Sequence, residues 1–352
     1  MILESWMDFR KPEYRRTVFL RFYEFHLKYR AHAGCVYQFI PFLREYYKWE
    51  IEESLWFASI NAFTQHPMTS LAIFQKIPPP PFEEKILGGF TKWFNESWAI
   101  LPFDSDRKYQ KKDVPKALGV LSELVKQRGS LKEFYTGDFE QLWRLARKDM
   151  FSLGRLGAWS GLEFIKIAGD LDFEFNTLFL HDIDGSRSHR NGLCVLLGRD
   201  DLDYHSKLNP AFDGKYTNEQ LGWLEEEGEK LLMESKERFK GRDFFGDVGY
   251  QTLETTLCCY KSWHRKNRRY PSVYNDMAYS RLLDTQEKNP NLDLTPFWAA
   301  RRKYLPKALR IEDNTSHPQY NNKSLSHELQ NMYITTGKIP NLEIEWDCFN
   351  IK

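Results

Sequence analysis

The sequence lacks most of the signatures from which an enzyme's cofactor can be read directly. There is no G-x-x-x-x-G-K-[ST], which excludes a P-loop kinase, and no G-x-G-x-x-G following a strand, which argues against a dinucleotide fold. G-x-S-x-G, H-E-x-x-H and the H-x-E…P-C-x-x-C set are missing too, against a nucleophile-elbow hydrolase, a zinc peptidase and a base deaminase. Cysteine is sparse: Cys35, Cys194, Cys258, Cys259 and Cys348 are odd in number and contain no C-x-x-C pair. That argues against a disulfide framework and a structural zinc site, and fits reduced thiols in a cytosol. No apolar run approaches the roughly 18 residues of a membrane span. The opening MILESWMDFRKPEYRR is charged throughout and reads as no signal peptide. An excess of one charge is also lacking. At a net +1 the chain is not a generic polycation, so any nucleic-acid site must be local.

What the chain does have is apolar and aromatic mass, 41% hydrophobic and 16% aromatic, enough for a large core. Its 352 residues exceed a typical domain of roughly 100–200 residues. Apolar residues recur at helical spacing over Glu13–Tyr29, Cys35–Tyr47, Ile51–Phe63, Phe82–Glu96, Val114–Arg128, Leu156–Ala168 and Asn218–Arg238. His66-Pro67 breaks the third pattern, and Asp138 is placed to cap a further helix running to about Met150. Gly249–Asn267, Ser272–Leu283 and Thr295–Lys303 complete a mainly α reading. We expect one large helical unit, with an N-terminal lobe over about 1–150 and a site-bearing, basic lobe over about 151–310. A polar tail covers 311–352. Between Asp170 and Asp203 the pattern lapses into an irregular Asp/Gly/Arg-rich segment with room for one short strand at Leu193–Leu197.

That segment holds the densest chemistry, His181-Asp-Ile-Asp-Gly-Ser-Arg-Ser-His-Arg-Asn-Gly192. Asp182 and Asp184 form an Asp-x-Asp pair that can hold Mg2+ while phosphate oxygens complete the octahedron. Ser186, Arg187, Ser188, His189, Arg190 and Asn191 supply donors, arginine matching phosphate bidentately. Gly185 and Gly192 would let backbone approach a ligand. The plainer alternative is a polar turn. Arg199, Asp200 and Asp201 follow, either extending the site or pairing with one another. A second pair, Asp104 and Asp106, precedes Lys111 and Lys112 in a loop, with a solvated cap as its alternative.

Two further groupings stand out. Arg155, Trp159 and Glu163 fall at i, i+4 and i+8, putting a cation, a stacking ring and a general base on one helix face, unless that face is ordinary amphipathic surface. Tyr260–Tyr270 interleaves Lys261, Arg265, Arg268 and Arg269 with aromatics. Cations neutralise phosphates and rings stack on unpaired bases, the alternative being a solvated helix end. Lys261–Arg310 carries 12 Lys/Arg against 4 Asp/Glu.

Three blocks resemble a phage family. They are Arg30–Tyr37 with Trp56–Gln65, Leu101–Asp113, and Gly185-Ser-Arg-Ser-His-Arg-Asn-Gly-Leu-Cys194 with Leu197–Leu202. They are similar to the alpha-glutamyl/putrescinyl thymine pyrophosphorylases, also described as amino acid:DNA transferases, over about residues 12–305. The resemblance implies thymidine hypermodification. DNA carrying 5-hydroxymethyluracil is phosphorylated by a separate DNA kinase, and this family replaces the phosphate ester with a free amino acid or other amine in the cytoplasm of the infected bacterial host. No nucleotide cofactor is then required, which agrees with the missing P-loop, and Mg2+ on Asp182 and Asp184 is an option. In this reading Arg187, His189 and Arg190 neutralise the departing phosphate and His189 protonates it. Glu163 or Asp201 takes a proton from the ammonium, and Arg155 holds the amino acid's carboxylate. Two competitors are a metal-dependent nuclease or phosphotransferase using Asp182, Asp184 and Asp201, and a non-enzymatic DNA-binding accessory protein.

Overall fold

The computed structural model describes residues 11–103, 111–181, 187–205, 207, 209–264, 273–313 and 333. In chain order the helices are α1 (Pro12–Lys28), α2 (Val36–Tyr47), α3 (Ile51–Thr64), α4 (Pro67–Phe74), α5 (Glu84–Ser97), α6 (Val114–Lys126) and α7 (Leu131–Phe134). They continue as α8 (Phe139–Lys148), α9 (Arg155–Gly169), α10 (Ser188–Leu196), α11 (Asn218–Phe239), α12 (Tyr250–His264), α13 (Val273–Lys288) and α14 (Thr295–Tyr304). No strand occurs among the described residues, so the mainly α reading holds. The strand expected at Leu193–Leu197 is instead the second half of α10. Gly, Ser, His and Asn have weak helix propensity, and tertiary packing overrides it here.

The chain divides into two compact units where the sequence predicts one unit with lobes meeting near residue 150. One is drawn from residues up to 33, from 176–276 and from 302 onward; the other from 34–175 and 277–301. Both are interleaved along the chain, which apolar periodicity cannot reveal.

The first unit is built on α1, α10, α11 and α12. Their apolar faces share one core that includes Phe19, Phe22, Tyr23, Leu193, Leu224, Leu231, Leu253, Leu257 and Tyr260. α11 opens on a capping box, with Thr217 accepting from the Gln220 amide and Gln220 from the Thr217 amide. Its buried stripe is Leu221, Leu224, Gly228, Leu231 and Leu232, and the acidic face stays outside. Arg15 of α1 crosses to the end of α10, donating to the Val195 carbonyl at 2.7 Å and to both Asp200 oxygens at 2.9 and 3.0 Å. Asp200 thus pairs with Arg15 rather than with Arg199.

In the second unit α3 is the axis. Its stretch from Ser54 to Thr64 carries no charge and is buried at every residue. α9 lies against it so closely that a Cβ on Gly161 would sit 2.9 Å from the Ala62 methyl. His66 and Pro67, read from sequence as a break, are the N-cap and first residue of α4. Proline costs nothing there because its missing N–H has no helical partner to lose.

Candidate active site

The crowded polar block is not a loop. From Ser188 it forms the first turns of α10, and His189 and Arg190 are 0% exposed. The helix is held there by α12. A Cβ on Gly192 would come within 2.1 Å of the Leu257 carbonyl oxygen and 2.7 Å of its carbon, so only glycine allows the two backbones to meet. The close approach expected of Gly192 is therefore to a helix, not to a ligand.

That contact brings His189 against one face of α12. Its Nδ1 stands 3.2 Å from Glu254 Oε1, and the Cys258 thiol donates to the same carboxylate at 3.7 Å. Glu254 and Cys258 are one turn apart on α12, both facing α10. Burial, then the Glu254 carboxylate, pushes the Cys258 thiol well above its ordinary range. Among the described residues these three are a set whose nitrogen, oxygen and sulfur atoms all lie within 4.8 Å of one another, close enough to share a metal ion. One turn further along α12, Lys261 donates to the Ser188 hydroxyl at 2.5 Å. Arg187, at the N-cap of α10, lies with its guanidinium carbon 4.2 Å from the centre of the Tyr204 ring. The Tyr204 backbone is fixed by Asn191, whose amide donates to its carbonyl at 3.0 Å and accepts from its N–H at 3.2 Å. Arg187, Ser188, His189 and Lys261 therefore converge at the positive end of α10, where the helix dipole and free N–H groups favour an anion.

Other expected members of the site take different places. Arg190 is a brace: its Nε donates to the Leu180 carbonyl at 2.8 Å and its guanidinium lies 5.1 Å from the Tyr216 ring. A buried brace is poorly placed to meet a departing phosphate. Arg199 and Asp201 form an exposed bidentate pair at 2.8 and 2.8 Å, with Arg199 also over Trp223. The Arg199 hydrogen bond holds the Asp201 carboxyl below the ordinary carboxylate range, which weakens it as a base. Arg155, Trp159 and Glu163 belong to the second unit, and their shared face of α9 points into its core. Trp159 is 2% exposed and meets Phe175 at 4.7 Å, Phe139 at 6.0 Å and Trp143 at 6.4 Å, so it packs rather than offering a base a stacking face. Glu163 is buried and accepts from the Tyr37 hydroxyl at 2.7 Å. Lys111 donates to the Leu101 carbonyl at 2.7 Å. Asp104, Asp106, Asp182, Asp184, Gly185, Ser186, Arg265, Arg268 and Arg269 lie outside the described residues.

Sequence reading missed Glu254 and Cys258. One acid and one thiol a turn apart signal nothing by themselves, and their partner His189 lies far away along the chain. The available clue was Thr255-Thr256 and Cys258-Cys259, small polar residues inside a helix that otherwise reads as core.

A family model described as "Amino acid:DNA transferase" matches residues 37–269, most of the chain and all of α10 and α12. The chain belongs to the amino acid:DNA transferase family. It is thus an enzyme that transfers an amino acid to DNA. A curated relative, the "Serinyltransferase" of Salmonella phage ViI, is 24% identical over 325 residues, covering 87% of this chain and 77% of the relative. No solved structure matches. None of the described helices is long and apolar enough to cross a membrane.

Proposed function

We propose that this transferase replaces the phosphate or pyrophosphate on 5-hydroxymethyluracil in DNA with an amino acid, giving a hypermodified thymine. The observation that carries this reading is the cationic end of α10, Arg187 and Lys261 beside Ser188 and His189, in a family that moves amino acids onto DNA. A transfer of this kind breaks the C–O bond to the phosphate and forms a C–N bond to the amine. The leaving phosphate takes the electron pair, and the ammonium gives its protons to the site and then to water. What the protein must stabilise is the anion that departs, and a helix N-terminus flanked by Arg and Lys does that. His189, expected to protonate the departing phosphate, is fully buried against Glu254, so its part is to hold this end of α10 to α12. Arg187, held 4.2 Å from the centre of the Tyr204 ring, is preset to meet phosphate oxygens.

The chain has no motif for activating a hydroxyl with a nucleotide, so the base must arrive phosphorylated, from a kinase acting earlier on the same DNA in the host cytoplasm. Lys261, with Arg265, Arg268 and Arg269 after it, is the segment we assign to DNA phosphates. Mg2+ held by Asp182 and Asp184 would neutralise further charge on the departing phosphate. Serine is the first donor to test, since the relative is a serinyltransferase.

The test is nucleoside mass spectrometry after incubating the protein and a pool of amino acids with DNA bearing phosphorylated or plain 5-hydroxymethyluracil. A nucleoside carrying an amino acid should form only from phosphorylated DNA, with or without ATP. Amination of plain 5-hydroxymethyluracil contradicts the reading, and strand breaks in place of new nucleosides favour a nuclease.

A further inference from the structure

We propose that His189, Glu254 and Cys258 form a binding site for one zinc-class divalent cation, clamped between α10 and α12. The donors are an imidazole nitrogen, a carboxylate oxygen and a thiol sulfur, and thiolate selects zinc-like ions over magnesium or calcium. Zinc takes nitrogen at about 2.0–2.1 Å, oxygen at about 2.0–2.2 Å and sulfur at about 2.3 Å, so tetrahedral neighbours stand roughly 3.2–3.8 Å apart. The two separations of 3.2 and 3.7 Å fall in that range. All three atoms lie within 4.8 Å of one another, reachable from one centre.

Charge points the same way. Glu254 is a carboxylate 4% exposed, beside a thiol and a fully buried imidazole. A doubly charged cation balances that carboxylate and a thiolate with neutral histidine, leaving the cluster neutral in a place where a net charge is costly. A cysteine nucleophile fits less well. The thiol's hydrogen-bond partner is the Glu254 carboxylate, whereas an activated thiol needs a base that draws its proton without opposing the negative sulfur. The absence of any C-x-x-C pair counts against a four-cysteine site and not against this one, whose ligands come from two helices.

Three protein ligands leave a fourth position, the pattern of catalytic rather than purely structural zinc. Cys258 lies one turn from the Lys261–Ser188 bond. A phosphate or amino-acid oxygen taking that position is a role that rests on the proposed transfer; the ion's presence does not.

The test is metal content, read without any activity assay. Full-length protein is incubated with excess Zn2+, gel-filtered and measured by plasma mass spectrometry, in parallel with Cys258→Ser, His189→Gln and, as a neighbouring thiol outside the cluster, Cys259→Ser. We expect about one zinc per chain in wild type and Cys259→Ser, and less than about a tenth in the other two. Circular dichroism shows which variants are folded. Wild type loaded with Co2+ should absorb in the near ultraviolet through thiolate-to-cobalt charge transfer, a readout that needs no variant. Folded wild type retaining no zinc, a Co2+ form without that absorption, or folded Cys258→Ser binding as much zinc as wild type would overturn the site. An inert protein that binds zinc refutes the proposed transfer and keeps the site; an active one that binds none does the reverse.

Discussion

Each unit of the chain buries a polar cluster between helices, and the two are made of different chemistry. In the second unit Thr64 and Ser70 share a hydrogen bond of 2.7 Å, Ser70 donates to Asn61 Oδ1 at 2.9 Å, and His66 Nδ1 accepts from the Thr69 amide at 3.3 Å. These are hydroxyls, an amide and an imidazole kept neutral. Burial, aided by Arg281, pushes His66 down to about 3. Their bonds end on one another and on the backbone where α3 gives way to α4. In the first unit the cluster is His189, Glu254 and Cys258, all able to carry charge, with a carboxylate buried between two helices. A neutral network stabilises the fold that buries it, whereas a buried ionisable set contributes little to stability and costs desolvation. The first cluster holds a chain turn in place; the second has to be explained by chemistry.

The comparison can be broken most decisively at His189. Transfer by His189→Gln should fall about 100-fold or more, the cost of misplacing the groups that α10 and α12 bring together, with DNA binding retained. Near wild-type turnover in a folded His189→Gln protein would remove the distinction between the clusters.

Acid sharpens it next. His26 is pushed well below its ordinary value, first by burial and then by His32, and burial takes His32 down to about 3, as it does His66. Each has a folded value below the unfolded 6.5, so the stability tied to its neutral form is complete above pH 6.5 and is lost as pH falls, down to about 3 for His32 and His66. Each then contributes a slope of about 1.4 kcal/mol per pH unit within that window. Urea midpoints should drop between pH 6.5 and 5, and His66→Gln should flatten the fall by one histidine's share. A His66→Gln protein with an unchanged acid limb would mean that His66 is not held neutral.

The glycine contacts should separate the units by a smaller margin. Gly192→Ala drives a methyl into the Leu257 backbone and should cost about 3 kcal/mol, while Gly161→Ala meets only the Ala62 methyl and should cost about 1 kcal/mol. Equal losses in urea unfolding would contradict the backbone-to-backbone approach of α10 and α12. Smallest is Ser70→Ala, expected to lower stability by about 0.5–1 kcal/mol with turnover unchanged. Loss of activity at an unchanged melting temperature would give the neutral cluster a part in the chemistry.

Much of the fold is legible in the sequence because several helices announce their own starts. Asp138 with Gln141 and Thr217 with Gln220 are capping boxes, and the stripe from Leu221 to Leu232 tells which face of α11 is buried. α10 is not legible, since Ser-His-Arg-Asn-Gly describes a turn as well as a helix until α12 is laid across Gly192. The polar block was visible as chemistry, and His189 with it. Its partners Glu254 and Cys258 were not, because what joins them to His189 is the crossing of two helices. Arg155, Trp159 and Glu163 show the opposite failure. A face with a charge, a ring and an acid looks like a pocket, and in the second unit it is core.

In the proposed function the α10–α12 contact serves amino-acid transfer to phosphorylated DNA. Its most direct test is nucleoside mass spectrometry on phosphorylated 5-hydroxymethyluracil DNA with wild type, His189→Gln and Ser70→Ala at matched folded concentration. Wild type and Ser70→Ala should give the same amino-acyl nucleoside at similar yield, and His189→Gln about a hundredth of it or less. Equal yield from His189→Gln would contradict the account.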